Sequence, residues 1–371
     1  MKSIWVIAAS AVLAWAAVAQ AGPLDLKYVP ADAKWVAHVD LDAAHSSPVM
    51  QKLFQECAKD FPRAKERLAG LCQKLGLERC ADLHGITAYG VKLEPRNGVL
   101  ILQAKWNAKA LREMAEKAPD HKTMEFGTHK VYAFTAHKGT PHAHEVAGTL
   151  YKPDTLVLAS SPELLKSALN VLDGKAPALA GKASPLAAEV PAGDVFLARA
   201  VDLNDSAAAK MHPALQLIKS FNYAEGQHDG KWFANLTVTA DSKPVAEKVA
   251  KVLEGYGAWL SLHSYKSPWF VGMLDRIKVS VDGNAVKVTS LEPADALAAH
   301  MPELCKAMQE HLKMRVAMMK MHCEMAGRMA RPMGWGKPGG APGGKSAAGP
   351  MPMCPMMGMM CPMGRGHRPG K

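Results

Sequence analysis

Apolar and polar positions alternate along this chain in short runs separated by stretches of helical period. In YVPADAKWVAHVDLDA, residues 28–43, Trp35, Ala37 and Val39 alternate with Val36, His38 and Asp40, which predicts a strand led in by Pro30. A helical stretch is expected from Pro48 to about Leu75, interrupted at Pro62 because proline cannot donate its helical hydrogen bond. ITAYGVKL and VLILQAKW read as strands joined by EPRNG, whose Asn97-Gly98 pair suits a hairpin turn. Asn107 is expected to cap a helix running to about Lys117. Strands around VYAFTA, EVAGTLY and TLVLAS lead to Ser161-Pro162-Glu163, an N-cap with proline in the first turn, and to a helix ending near Gly174.

The same order recurs after an Ala, Gly and Pro-rich linker. VPAGDVFLARAVDLND from Val190 echoes VPADAKWVAHVDLD from Val29, with one gap. GKWFANLTVTADSKPVAEKVAKVLEG echoes NGVLILQAKWNAKALREMAEKA, each a strand running into a capped helix, here with Asp241 or Ser242 before Pro244. NAVKVTSLEPADALAAH echoes DTLVLASSPELLKSAL, and residues 281–284, VDGN, signal a tight hairpin. Three matching pieces in matching order predict an internal duplication. The expected fold class is α+β: two tandem ferredoxin-like or split βαβ modules with antiparallel sheets, then a long Met-rich amphipathic helix and a disordered tail. The boundaries follow as a first module over 22–175, a linker over 176–189, a second module over 190–300, the helix over 301–331 and the tail over 332–371. The arrangement, and the opening around VPADAKWVAHVDLDA, resembles a group of uncharacterised exported bacterial proteins with two such halves. That resemblance covers Val29 to His300 and brings no activity or functional residues with it.

The N-terminus reads MKSIWVIAASAVLAWAAVAQAG, with basic Lys2, an apolar run from Ile4 to Val18, and Ala19 and Ala21 around Gln20. This is expected to be a secretory signal peptide, residues 1–21, cleaved after Ala21. Its apolar run falls short of the roughly 20 residues a membrane span needs. The protein is therefore expected to be exported, periplasmic or secreted, and soluble after cleavage. Net charge is +11, and from Met301 onward eleven Lys and Arg face three acids, so most of the basicity lies there. Such a segment would be drawn to an anionic envelope surface or to a protein partner, while no specific nucleic-acid binding is expected.

An exported chain can oxidise its cysteines. Cys57, Cys72 and Cys80 lie early and Cys305, Cys323, Cys354 and Cys361 late, and no C-x-x-C occurs. Gly76, able to turn the chain back, favours a Cys72–Cys80 bridge, although spacing alone leaves the connectivity open. The body offers no HExxH and no catalytic set. Asp40 and Asp42, with Asp202 at the place of Asp40 in the repeat, could act as acid and base or hold a hard cation, but strand-end carboxylates are ordinarily solvated. The loop AHKGTPHAHE carries His137, His142, His144 and Glu145, an ancillary Cu(II) or Zn(II) site if extended, or a plain hairpin loop. No organic cofactor and no enzymatic activity are expected.

Soft sulfur donors crowd the end of the chain. Sixteen of 22 methionines and four of seven cysteines lie from Met301 onward. Along the expected helix, Cys305, Met308, Leu312, Val316, Met319 and Cys323 make one apolar line, and His311, Met314, Met318, Met321, His322, Met325 and Met329 another. An apolar arc this wide exceeds one docking face. Met314, Met318, and Met321 or His322 are stacked within reach of one ion, although a Met stripe at helical spacing is also how a core is filled. Beyond Gly334, Gly and Pro dominate, and the segment lacks the means to bury a core. Its run from Met351 to Met363 holds Met351, Met353, Cys354, Met356, Met357, Met359, Met360, Cys361 and Met363. Thioethers and thiolates select soft ions, so Cu(I) or Ag(I) is the expected ligand, with reversible methionine oxidation as a rival use.

Overall fold

The computed structural model describes residues 24–60, 82–94, 97–140, 143–206, 209–210, 213–264 and 267–329, with a few positions between 61 and 81. These fall into two units, one ending at Arg315 and one beginning at Val316. The described part of the second unit, residues 316–329, is helical.

In the first unit twelve strands form one sheet: β1 (Trp35–Asp40), β2 (Leu83–Gly90), β3 (Val99–Ala104), β4 (Lys122–Phe126), β5 (His129–Ala136), β6 (His144–Lys152), β7 (Thr155–Ala159), β8 (Asp194–Val201), β9 (Ile218–His228), β10 (Lys231–Ala240), β11 (Lys278–Asp282) and β12 (Ala285–Pro293). Their spatial order is β11-β12-β10-β9-β8-β1-β2-β3-β7-β6-β5-β4. Seven α-helices accompany them among the described residues: α1 (Leu41–Ser46), α2 (Pro48–Asp60), α3 (Ala108–Glu116), α4 (Pro162–Leu172), α5 (Lys243–His263), α6 (Pro268–Asp275) and α7 (Ala294–Met329). The fold is thus mixed α+β around one large antiparallel sheet.

Two features differ from a pair of ferredoxin-like modules. The strands make a single sheet, because β1 and β8 pair directly from Trp35 opposite Ala200 to Val39 opposite Phe196. Every pairing between the named strands is antiparallel, whereas a split βαβ unit sets parallel strands side by side. Hairpin connections suffice for most neighbours, and antiparallel strands need no long crossover.

Local chemistry explains the helix starts. Asn107 accepts a hydrogen bond from the Ala110 N–H at 3.0 Å, and Ser161 accepts one from Leu164 at 3.2 Å ahead of Pro162. Each satisfies a backbone donor that the first turn leaves without a partner. Side-chain alternation then sorts the sheet into two faces. Val36, Tyr89, Val99, Ile101, Val157, Ala159 and Leu197 pack with Leu165, Ala168 and Leu169 of α4 in the largest core cluster. On the opposite face Leu83, Leu102 and Leu156 meet Trp106 and Leu111 at the start of α3. Farther along, Ala246 and Ala250 hold α5 against Ala240 and Val286. The first turns of α7 are fixed by Ala294, Leu297, Met301 and Cys305, packed with Val49, Leu53 and Trp232. Pro302 lies inside that helix without ending it.

Cys72 is buried and disulfide-bonded, and Cys80, its expected partner, lies outside the described residues.

Candidate functional site

The seam between β1 and β8 ends among buried and half-buried ionisable groups. Asp40, the last residue of β1, leaves the strand and caps α1, accepting from the Ala43 N–H at 2.8 Å. Burial, with the neighbouring charge of Asp42, pushes its pKa up to about 6 against the capping bond. Asp194, the first residue of β8, is 6% exposed, and neither carboxylate oxygen has a hydrogen-bond partner among the described residues. Burial pushes it up to about 7, Arg199 opposes that rise, and Asp40 and Glu225 add to it. Glu225 is itself raised by burial while accepting from the Tyr223 hydroxyl at 2.7 Å.

Three imidazoles come from β1, α1 and β2. His38 is 2% exposed, with Nδ1 at 2.9 Å from Thr87 Oγ1 and Nε2 without a partner among the described residues. Burial lowers it to about 4, so it is neutral in the folded protein. His84 Nδ1 lies 3.1 Å from Asp42 Oδ1. His45, also lowered by burial, has Nε2 without a partner among the described residues. Arg199 is 1% exposed and satisfies its guanidinium on backbone, donating to the carbonyls of Leu186 at 2.9 Å, Ala188 at 2.6 Å and Glu189 at 2.9 Å, and to Asn222 Oδ1 at 3.1 Å. It pins the linker ahead of β8 to the sheet. The turn there needs glycine: Gly193 has φ +76°, and a Cβ on it would meet the Gln227 carbonyl oxygen at 2.0 Å.

Burial thus keeps Asp40, Asp194 and Glu225 protonated to higher pH than a solvated carboxyl. Neither of two cavities is lined by these groups: one of about 20 Å³ lies by Tyr89 and Asn97, and an open cleft of about 750 Å³ lies beside α5 and α6. Among the described residues, no three or more His, Cys, Asp or Glu are grouped to hold a metal ion.

The carboxylates singled out in the sequence separate in the fold. Asp40 ends a strand, Asp42 belongs to α1, and Asp202 adopts a left-handed conformation (φ 56°) with no capping bond, paired with Lys34. Asp40 and Asp42 do not share one strand face, because the chain bends into a helix directly after Asp40, although the charge of Asp42 still reaches Asp40. His137 and His144 do come together across the β5–β6 hairpin, ring centroids 5.9 Å apart, with His137 at φ 53°. His142 lies outside the described residues.

Of the soft donors, Met314 is half-buried, while Met318 and Met321 are 39% and 54% exposed on α7. His322 and Met325 are helical, and their side chains lie outside the described residues, as do Met351, Met353, Cys354, Met356, Met357, Met359, Met360, Cys361 and Met363 altogether. The run GGAPGGKS, residues 339–346, has the spacing of a phosphate-binding loop, but Gly- and Pro-rich sequence precedes it where that loop requires a strand. Asp194, Glu225 and His84 were not anticipated as a group. Of the cluster, the sequence singled out Asp40 and Asp42 alone, as carboxylates near a strand end.

Neither a protein-family model nor a curated protein matches the chain. Among solved structures, crystal forms III and I of TP0453 align over 76% of this chain and 100% and 98% of their own, each at 9% identity and a TM-score of 0.38. Form IV aligns over 76% of this chain and 97% of its own, at 8% identity and a TM-score of 0.34. A likeness of that size carries no argument here.

Proposed function

We propose that this chain is an exported, non-enzymatic binding protein that holds or buffers a soft monovalent metal, Cu(I) or Ag(I). The ligands would be Met314, Met318, Met321, His322 and Met325 of α7 and the nine sulfur-bearing residues between Met351 and Met363. The observation that carries the reading is the exposure of Met318 and Met321, at 39% and 54%. Methionines used as core filler would be buried, and these are not. Thioethers left accessible at a one-turn spacing suit a soft ion.

The body supports this reading as a scaffold. We further infer that it is two copies of one unit, over 22–175 and 190–300. Ala37 opposes Ala198 at the seam, and outward from that pair the order β1-β2-β3-β7-β6 is matched by β8-β9-β10-β12-β11. Helices α3 and α5 follow β3 and β10, and α4 and α7 follow β7 and β12. Strands β4 and β5 have no counterpart.

The test is a Cu(I) titration of the reduced protein against a competing chelator. Removal of residues 351–363 should abolish most of the capacity, and an undiminished stoichiometry would reject the assignment. A second reading, an envelope scaffold whose basic C-terminal helix docks a membrane, wall polymer or protein, draws on exposed Lys306 and Lys313. It predicts retention on envelope fractions that falls with salt and ignores copper chelation.

A further inference from the structure

The outer face of α5 leaves large apolar side chains in water. Val252 is 70% exposed, Tyr256 49% and Leu262 74%, while Ala246 and Ala250 hold the opposite face of the helix in the core. At 100° per residue, Val252, Tyr256, Trp259 and His263 fall on one stripe. Their rings form a ladder: Tyr256 and Trp259 lie 5.7 Å apart between centroids, and Trp259 and His263 4.1 Å. Leu262 stands at the lip of the open cleft shared with Pro268, Val271 and Gly272 of α6. Lys243, Lys248 and Lys251 are exposed on the same helix, as are Glu247 and Glu254. At 100° per residue Lys248 falls between the aromatic stripe and Leu262 and Lys251 just beyond Leu262, while the two acids lie farther round.

An apolar group of this size is uncommon on a surface that meets only water. Burying a Val or Leu gains about 1.5–3 kcal/mol, a gain these residues do not take from the fold. Tyr and Trp rings favour boundaries that are apolar on one side and wet on the other. Lysines beside them complement anionic headgroups. None of the described helices is long and apolar enough to cross a membrane, and a helix with one exposed apolar face is suited to lie in the plane of the interface. We propose that the outer face of α5, with the lip of α6, docks on an anionic lipid surface. The proposal is independent of the metal reading.

The experiment is co-sedimentation of the chain from Gly22 onward, in chelator, with vesicles of phosphatidylcholine alone or mixed with phosphatidylglycerol. Partitioning to the mixed vesicles is expected, falling with salt. Val252→Glu with Leu262→Glu should lower it at least tenfold, and Lys248→Glu with Lys251→Glu by about tenfold or more. Thermal melts should match the parent, and Tyr256→Ser provides a milder change on the same stripe if the first pair unfolds the protein. A chain ending at Met329 should bind as well as the full one. Equal binding by the outer-face variants, no preference for phosphatidylglycerol, or loss of binding with the tail would each overturn the proposal. So would a concentration-dependent dimer that the Val252 and Leu262 changes abolish, without vesicle binding.

Discussion

Asp194 at the head of β8 is buried within electrostatic reach of Asp40 at the foot of β1, so the two strands meet where two carboxyl groups resist ionising. Burial is the larger cause, and the charge of Asp40 adds to it. A carboxyl whose folded pKa is raised lends stability that is fully present below its unfolded pKa near 3.8 and is lost as pH rises through about 7. Asp194→Asn should therefore flatten the decline in stability between pH 4 and pH 8. The gain above pH 7 is on the order of 4 kcal/mol at most. Denaturant melts across that range decide it, and parallel pH profiles for parent and variant would refute the assignment.

His38 acts in the opposite sense. Its folded pKa of about 4 lies below the ordinary 6.5, so the unfolded chain takes up a proton first and stability falls as pH drops from 6.5 to 4. Replacing it by leucine should cost about 1 kcal/mol at pH 7, through loss of the Thr87 bond, and remove that acid limb. The same melts, carried below pH 6, read both effects.

Arg199→Met should destabilise the protein by roughly 3–5 kcal/mol, because three linker carbonyls lose their donor together. Limited proteolysis is then expected to open the chain between Leu186 and Glu189 before the sheet.

Gly193→Ala has no small accommodation. The left-handed backbone and the Gln227 carbonyl at 2.0 Å from a Cβ both oppose it, so a loss of roughly 2 kcal/mol or more is expected in thermal melts. The exposed Gly139, with nothing within 4 Å of a Cβ, isolates the conformational part of that cost.

Met318→Leu with Met321→Leu should leave stability within about 0.5 kcal/mol, as for other exposed positions. Cu(I) capacity should fall while the fold does not, and a variant that retains full capacity would confine the metal to the segment beyond.

Much of the fold was legible in local chemistry. Asn107, Ser161 and Pro162 announced their helices because caps act within one turn, and the strand at Trp35–Asp40 was legible from its alternation, although the buried positions are Val36 and His38 rather than the apolar set Trp35, Ala37 and Val39. β4 was not foreseen: KTMEF has exposed or half-exposed side chains throughout, so little apolar rhythm marks it. The single sheet was hidden for a different reason. Pairing of β1 with β8 joins residues some 160 positions apart, and no local pattern encodes a partner at that distance. The Asp194 cluster is of the same kind, since its members come from β1, α1, β2, β8 and β9 and meet only after the seam closes.

The pairing of β1 with β8 also leaves the sheet with just two rims, β4 and β11, five residues each. Lys122 and Glu125 stand exposed on one, Lys278 and Asp282 on the other. A stray strand seeking to extend the ladder would have to settle beside charge on a short perch, which discourages fibre growth. Twelve strands in a row, a geometry open to runaway polymerisation, thus end at both sides in terminators.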